Sequence, residues 1–214
     1  MKNRFNPDCK KCSRLVTFLD DVRKEYPEYH SRPVAPFGVE NPGLLIVGLA
    51  PGKHGANATG RPFTGDYAGV LLYKALYLKG FSNQAIAVTI NDGLELNNCR
   101  ITNAVKCLPP DNKPTGEEIK VCNQFLANEI RDLSVGSVIL ALGGIAHNAV
   151  LRATGKKLSQ FKFGHANEHD LGDYRLIDSY HCSRYNTQTK RLTEEMFLAV
   201  FDRINDLMMN HDGI

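Results

Sequence analysis

The sequence predicts an α/β fold organised around a parallel sheet, and three observations carry that expectation. Four short candidate strands, Gly43-Leu-Leu-Ile-Val-Gly-Leu49, Ile101 to Val105, Ser137 to Leu142 and Tyr174 to Ser179, alternate with stretches whose apolar residues recur at helical spacing. That alternation is the pattern of βαβ units. The first of these, Gly43 to Leu49, is an apolar run that reads as a buried, parallel strand, and Ser137 to Leu142 is apolar as well. Each run also ends in residues that a plain connection does not need: glycines after Leu49 and Leu142, a cysteine and two prolines after Val105, a histidine after Ser179. In such sheets ligands sit beyond the carboxyl ends of the strands.

Taken in order, the chain opens with Cys9-x-x-Cys12, followed by a loosely helical stretch from Leu15 to Tyr26 that Pro27 ends. A proline-rich loop, Arg32 to Pro42, delivers the chain into the first strand. A glycine-rich segment, Ala50 to Gly65, leads to a helix over about Tyr67 to Leu78, with Val70, Leu71, Lys74 and Leu78 at helical spacing. The second strand stops at Lys106-Cys107-Leu108-Pro109-Pro110, and Thr115-Gly-Glu-Glu118 fits a capping box. The helix it starts carries Ile119, Cys122, Leu126 and Ile130 on one face. Gly143-Gly144 opens the helix after the third strand, and the last helix runs from about Thr193 to Met209. No repeat or long linker interrupts the chain, so a single domain over residues 1–214 is expected.

Composition narrows the class without naming it. An apolar content of 43% and a charged content of 23% are ordinary for a soluble globular chain. A net charge of +3 permits a basic face for nucleic acid but does not require one. No run reaches the roughly 18 apolar residues that a membrane span needs, and Met1 to Cys12 lacks the apolar segment of a signal peptide. A cytoplasmic location without membrane contact is therefore expected. In that reducing setting six cysteines are better read as metal ligands or redox groups than as a disulfide framework.

The segment Gly48-Leu-Ala-Pro-Gly-Lys-His-Gly-Ala-Asn-Ala-Thr-Gly-Arg-Pro-Phe-Thr-Gly-Asp66 holds most of the chemistry. Glycines this dense after a buried strand let backbone amides approach a ligand closely. A nucleotide phosphate loop is the first competitor, and it fails on spacing. That motif needs four residues between its first glycine and Gly-Lys, then Ser or Thr; here three intervene between Gly48 and Gly52, and His54 follows Lys53.

These residues resemble the first motif of the uracil-DNA glycosylase superfamily, specifically its type-B (family 5) iron–sulfur branch. Three further segments are similar in order: Thr102-Asn-Ala-Val-Lys-Cys-Leu-Pro-Pro110, Ala141-Leu-Gly-Gly-Ile-Ala-His147, and Ser179-Tyr-His-Cys-Ser-Arg-Tyr-Asn-Thr187 with Arg191-Leu-Thr193. The resemblance spans Cys9 to Thr193. It implies a three-layer αβα fold with a central, mostly parallel four-stranded sheet. It also implies a monomeric DNA-repair glycosylase that flips uracil, or another deaminated base, out of DNA and hydrolyses its glycosidic bond.

Site roles follow from the same resemblance. Cys9, Cys12, Cys107 and Cys122 match the ligands of a [4Fe–4S] cluster; without the family, zinc suits four thiolates as well. Cys99 and Cys182 match no ligand. Phe63 is placed to stack on the base, Asn103 to read its edge, and His181 to donate a hydrogen bond where negative charge grows. Gly48, Ala50, Gly52 and His54 are expected around the base, with Ser183 and Arg184 on the DNA. Strictly uracil-specific relatives place a carboxylate where Leu49 and Ala50 stand here. Asp66 is the acid the resemblance assigns to catalysis, and it also occupies the N-cap position of the following helix. Hypoxanthine, xanthine or damaged cytosine are further expected substrates. The rival class is a non-catalytic nucleotide-binding iron–sulfur redox protein.

Overall fold

The structure, a computed structural model, describes residues 5–209. Six strands form one sheet: β1 (Phe37–Gly38), β2 (Leu44–Gly48), β3 (Cys99–Asn103), β4 (Val138–Leu142), β5 (Glu168–Asp170) and β6 (Arg175–Ser179). Their order is β1-β3-β2-β4-β6-β5, with β3, β2, β4 and β6 parallel and the two margins antiparallel. The four parallel strands are those expected from sequence. The edge strands raise the count to six because pieces of two and three residues, partly exposed, carry no apolar run that could reveal them.

Helices cover both faces: α1 (Ser13–Glu25), α2 (Ala56–Thr59), α3 (Tyr67–Leu78), α4 (Gly116–Arg131), α5 (Gly144–Ala153), α6 (Arg184–Gln188) and α7 (Glu194–Met209). Every residue of β2 and β4 is buried, and successive side chains point to opposite layers. Leu45 and Val47 join Ile139 and Ala141 beneath α1, α4 and α5. Leu44 and Ile46 join Val138 and Leu140 beneath α3 and α7. Each such Leu or Ile contributes about 1.5–3 kcal/mol by leaving water, so the strand ends that bear the site rest on a fully buried core.

Local signals set the helix boundaries. Thr115 and Glu118 form the expected capping box, with Thr115 Oγ1 accepting from Glu118 N at 3.2 Å and Glu118 Oε2 accepting from Thr115 N at 2.7 Å. Arg14 forks onto the same Glu118 at 2.8 and 2.7 Å, tying α1 to α4. None of the described helices is long and apolar enough to cross a membrane.

The connection from β2 runs to β3 on one side, and the chain then crosses to β4 on the other. Strand order therefore reverses at β2, where a crevice opens beyond the carboxyl ends. There Gly48 of β2 lies opposite Asn103 of β3.

Candidate active site

A cavity of about 240 Å³ opens at this reversal, lined by Leu49, Ala50, Gly52, Ala56, Phe63, Asp66, Ala68, Asn103, Asn112, His181 and Ser183. Four separate segments thus converge on one space: the loop after β2, the end of β3, the loop before α4 and the loop after β6. Its size suits a single small planar ligand, below the range typical of drug-sized pockets.

Phe63 forms one wall and is only 6% exposed. Its backbone holds φ 54°, a left-handed conformation uncommon outside glycine. Tyr73 OH donates to Pro62 O at 2.7 Å, just before the kink. Gly69 packs so closely below that a Cβ there would stand 1.8 Å from Phe63 O. The rings of Phe63 and His181 have centroids 6.0 Å apart and planes inclined by 29°.

Asn103 is 4% exposed, and its Oδ1 has no hydrogen-bond partner among the described residues. A buried amide oxygen left this way costs about 1–3 kcal/mol, so the geometry is a site prepared for a donor. Gly48 makes room for it: a Cβ there would lie 2.4 Å from Asn103 Oδ1 and 2.8 Å from Phe63 Cζ.

His181 is held through its backbone, whose carbonyl accepts from Asn186 Nδ2 at 2.8 Å. Burial pushes its pKa down to about 4, so the imidazole is neutral at neutral pH. Asp66 serves two purposes at once. Its Oδ1 accepts from Gly69 N at 2.9 Å as the N-cap of α3, while the glycine-rich loop wraps Oδ2, which would be 3.7 Å from a Cβ on Gly52 and 2.7 Å from one on Gly55. Burial raises its pKa above the ordinary carboxylate value, partly offset by backbone N–H groups of Gly69 and Ala68.

Three of the expected residues stand outside the lining. Gly48 lies beneath it, as described. His54 is exposed and its Nδ1 pairs with Tyr29 OH at 2.9 Å, drawing the ring toward α1. Arg184 is exposed beyond Ser183, its guanidinium 4.9 Å over the ring of Tyr67. Ser183 lines the cavity and caps α6, accepting from Asn186 N at 3.4 Å. Asn112 was not singled out from sequence. It reaches the cavity because Asp111 and Asn112 both take positive φ, 53° and 55°, a turn that the Pro-Pro-Asp-Asn composition announces.

A second, narrower cavity is lined by Cys9, Cys12, Cys107 and Cys122, brought from the N-terminal segment, the loop after β3 and α4. Burial first, then repulsion from Cys122, Glu118 and Cys9, pushes the Cys12 thiol up to about 11. Cys107 is pushed up to about 12 by burial and by the other three sulfurs. Lys106 N approaches Cys122 Sγ at 3.3 Å. Cys99 and Cys182 are fully buried elsewhere.

The family model described as the Uracil DNA glycosylase superfamily matches residues 35–205 of this chain. A protein named type-5 uracil-DNA glycosylase from Thermus thermophilus is 44% identical over 198 residues, covering 90% of each chain. Another of that name, from Pyrobaculum aerophilum, is 42% identical, covering 92% of this chain and 87% of its own. A type-4 uracil-DNA glycosylase from Thermotoga maritima is more distant, at 35% identity over 65% of this chain.

Proposed function

Because the chain belongs to the uracil-DNA glycosylase superfamily, we propose that it removes uracil from DNA by hydrolysing the N-glycosidic bond of a flipped nucleotide. One observation supports this more than any other. Asn103 Oδ1 is buried, unpartnered and set at a cavity walled by Phe63 and His181. An amide offers both an acceptor and donors, which the Watson–Crick edge of uracil requires.

Chemistry follows from the same geometry. As the bond breaks, positive charge develops on the sugar and negative charge on the base, and preorganised groups stabilise each. Neutral His181 is suited to donate an N–H toward the base oxygen. Half-buried Asp66 keeps a carboxylate beside the cavity for the sugar cation or for an attacking water. Phe63 supplies the stacking face, while Ser183 and Arg184 lie on the rim for the DNA backbone. Leu49 and Ala50 give that wall no carboxylate, and we read the pocket as accepting hypoxanthine and xanthine as well.

The four clustered cysteines fit an iron–sulfur centre: the donor set is all sulfur, with Cys107 and Cys122 buried and Cys9 and Cys12 partly so, and spread over two distant parts of the chain. Bound there, a [4Fe–4S] cluster would supply a structural tie between the segment before α1 and α4. A non-catalytic redox protein is not favoured, since the relatives carry glycosylase names throughout.

The test is direct. Purified anaerobically, the protein should convert duplexes carrying a single uracil to abasic sites that alkali cleaves, with Asp66→Ala and Asn103→Ala strongly impaired. Absence of cleavage at uracil by cluster-loaded protein would overturn the proposal. Cleavage at uracil alone would remove the broader substrate range.

A further inference from the structure

We infer that Arg61 and Asp92 are positioning residues for Phe63, locking its ring in the stacking position from outside the pocket. Asp92 lies in the connection between α3 and β3, apart from every motif of the sequence, and neither side chain lines the cavity. Arg61 is 2% exposed, and its two terminal nitrogens grip both oxygens of Asp92 at 2.9 and 2.7 Å. Its Nε donates to Thr64 Oγ1 at 2.8 Å, so one guanidinium braces the backbone on both sides of Phe63. The Phe37 ring lies against it at 5.0 Å.

Asp92 is equally committed. Its carboxylate also accepts from Val88 N, Thr89 N and Leu94 N, at 2.8, 3.2 and 3.1 Å. Arg61 foremost, with these amides, holds its pKa far below the ordinary carboxylate range, so the pair stays charged. Phe63 keeps a left-handed φ that a phenylalanine does not favour. Such a conformation persists only where the surroundings over-determine it, and the forked ion pair is a strongly directional restraint. The fork ties the kink to the 88–94 turn, none of whose residues lines the cavity.

This inference rests on the glycosylase reading, and a double-mutant cycle with Phe63 separates the two. In single-turnover excision of uracil, Asp92→Asn should lower the rate about 10- to 100-fold, the penalty expected for misplacing a reactant by an ångström or less. Affinity for a duplex containing an abasic analogue should stay within about 2-fold, because the altered side chains are only 2% and 13% exposed and stand apart from the cavity lining. In a Phe63→Ala background the same change should cost less than about 3-fold. Arg61→Lys keeps the charge and loses the fork; it should repeat the pattern, and it decides the matter if Asp92→Asn melts below the assay temperature. Equal penalties in both backgrounds would overturn the inference. Should the wild type excise no base at all, the glycosylase reading fails separately, and free-uracil titration still tests the clamp: coupled losses of affinity support it, independent losses overturn it.

Discussion

Gly48 and Asn103 face each other across the β2–β3 ladder, and a single methyl group on Gly48 would stand 2.4 Å from the Asn103 amide oxygen. Gly48→Ala should therefore displace Asn103 and Phe63 together. Uracil excision should fall about 10- to 100-fold with the circular dichroism spectrum unchanged. Full activity in this variant would show that the amide has slack the packing does not suggest.

Asn103→Ala should uncouple function from stability. Excision should drop about 100-fold or more, in the range seen when one preorganised polar partner is lost. The melting temperature should not fall, because the residue removed carries a buried oxygen with no partner among the described residues. A clear drop in melting temperature would mean the side chain is a structural element first.

The rate profile should be flat through neutral pH and decline on the acid side. The proposed reaction needs Asp66 ionised and His181 neutral, and both forms prevail above their respective pKa values. Asp66 titrates above the usual carboxylate value and His181 at about 4, so both lose their active forms as pH falls. Asp66→Asn, at reduced rate, should retain only the limb near pH 4. Loss of activity beginning near 6.5 that persists in Asp66→Asn would instead place His181 in an ordinary, solvated environment.

Folding stability should carry a separate pH signature from His147. Its Nδ1 lies 2.7 Å from Asp178 Oδ1 and its Nε2 3.1 Å from Phe161 O, so both ring nitrogens face acceptors. His169 Nε2 meets the other Asp178 oxygen at 3.0 Å. Burial pulls the His147 pKa down, but Asp178 and the Phe161 carbonyl outweigh it and the net shift is upward. Protonation then favours the folded state: the contribution is complete below 6.5 and disappears as pH rises through the raised value. Urea denaturation across that window should show it, and His147→Gln should flatten the slope. An unchanged slope in the variant would assign the dependence elsewhere.

On the proposed iron–sulfur assignment, Cys122→Ala should lose iron and the visible absorption such a cluster gives, and should expose the segment around Cys9 and Cys12 to protease. Retention of stoichiometric iron by this variant would remove Cys122 from the ligand set.

The central strands β2 and β4 were legible because burial on both faces leaves continuous apolar runs, as in Val138–Leu142. The capping box at Thr115 was legible for a similar reason, since both partners lie within four residues. What escaped depends on contacts between distant residues. Nothing around Asp92 announces that Arg61, 31 positions earlier, will meet it. Likewise His54 sits amid the glycine-rich motif, yet Tyr29, 25 residues away, orients its ring. Asn112 was hidden by a turn whose composition signals a bend without saying what the bend delivers.

The short antiparallel margins of the sheet bear on how the protein behaves at high concentration. β1 and β5 each offer an outer edge of only two or three residues, too little backbone to recruit a neighbouring chain by strand addition. The wholly buried strands β2 and β4 lie two or more places in from either margin and are thereby kept from intermolecular pairing once folded. Aggregation, where it occurs, should begin from chains that have not yet laid those two margins down.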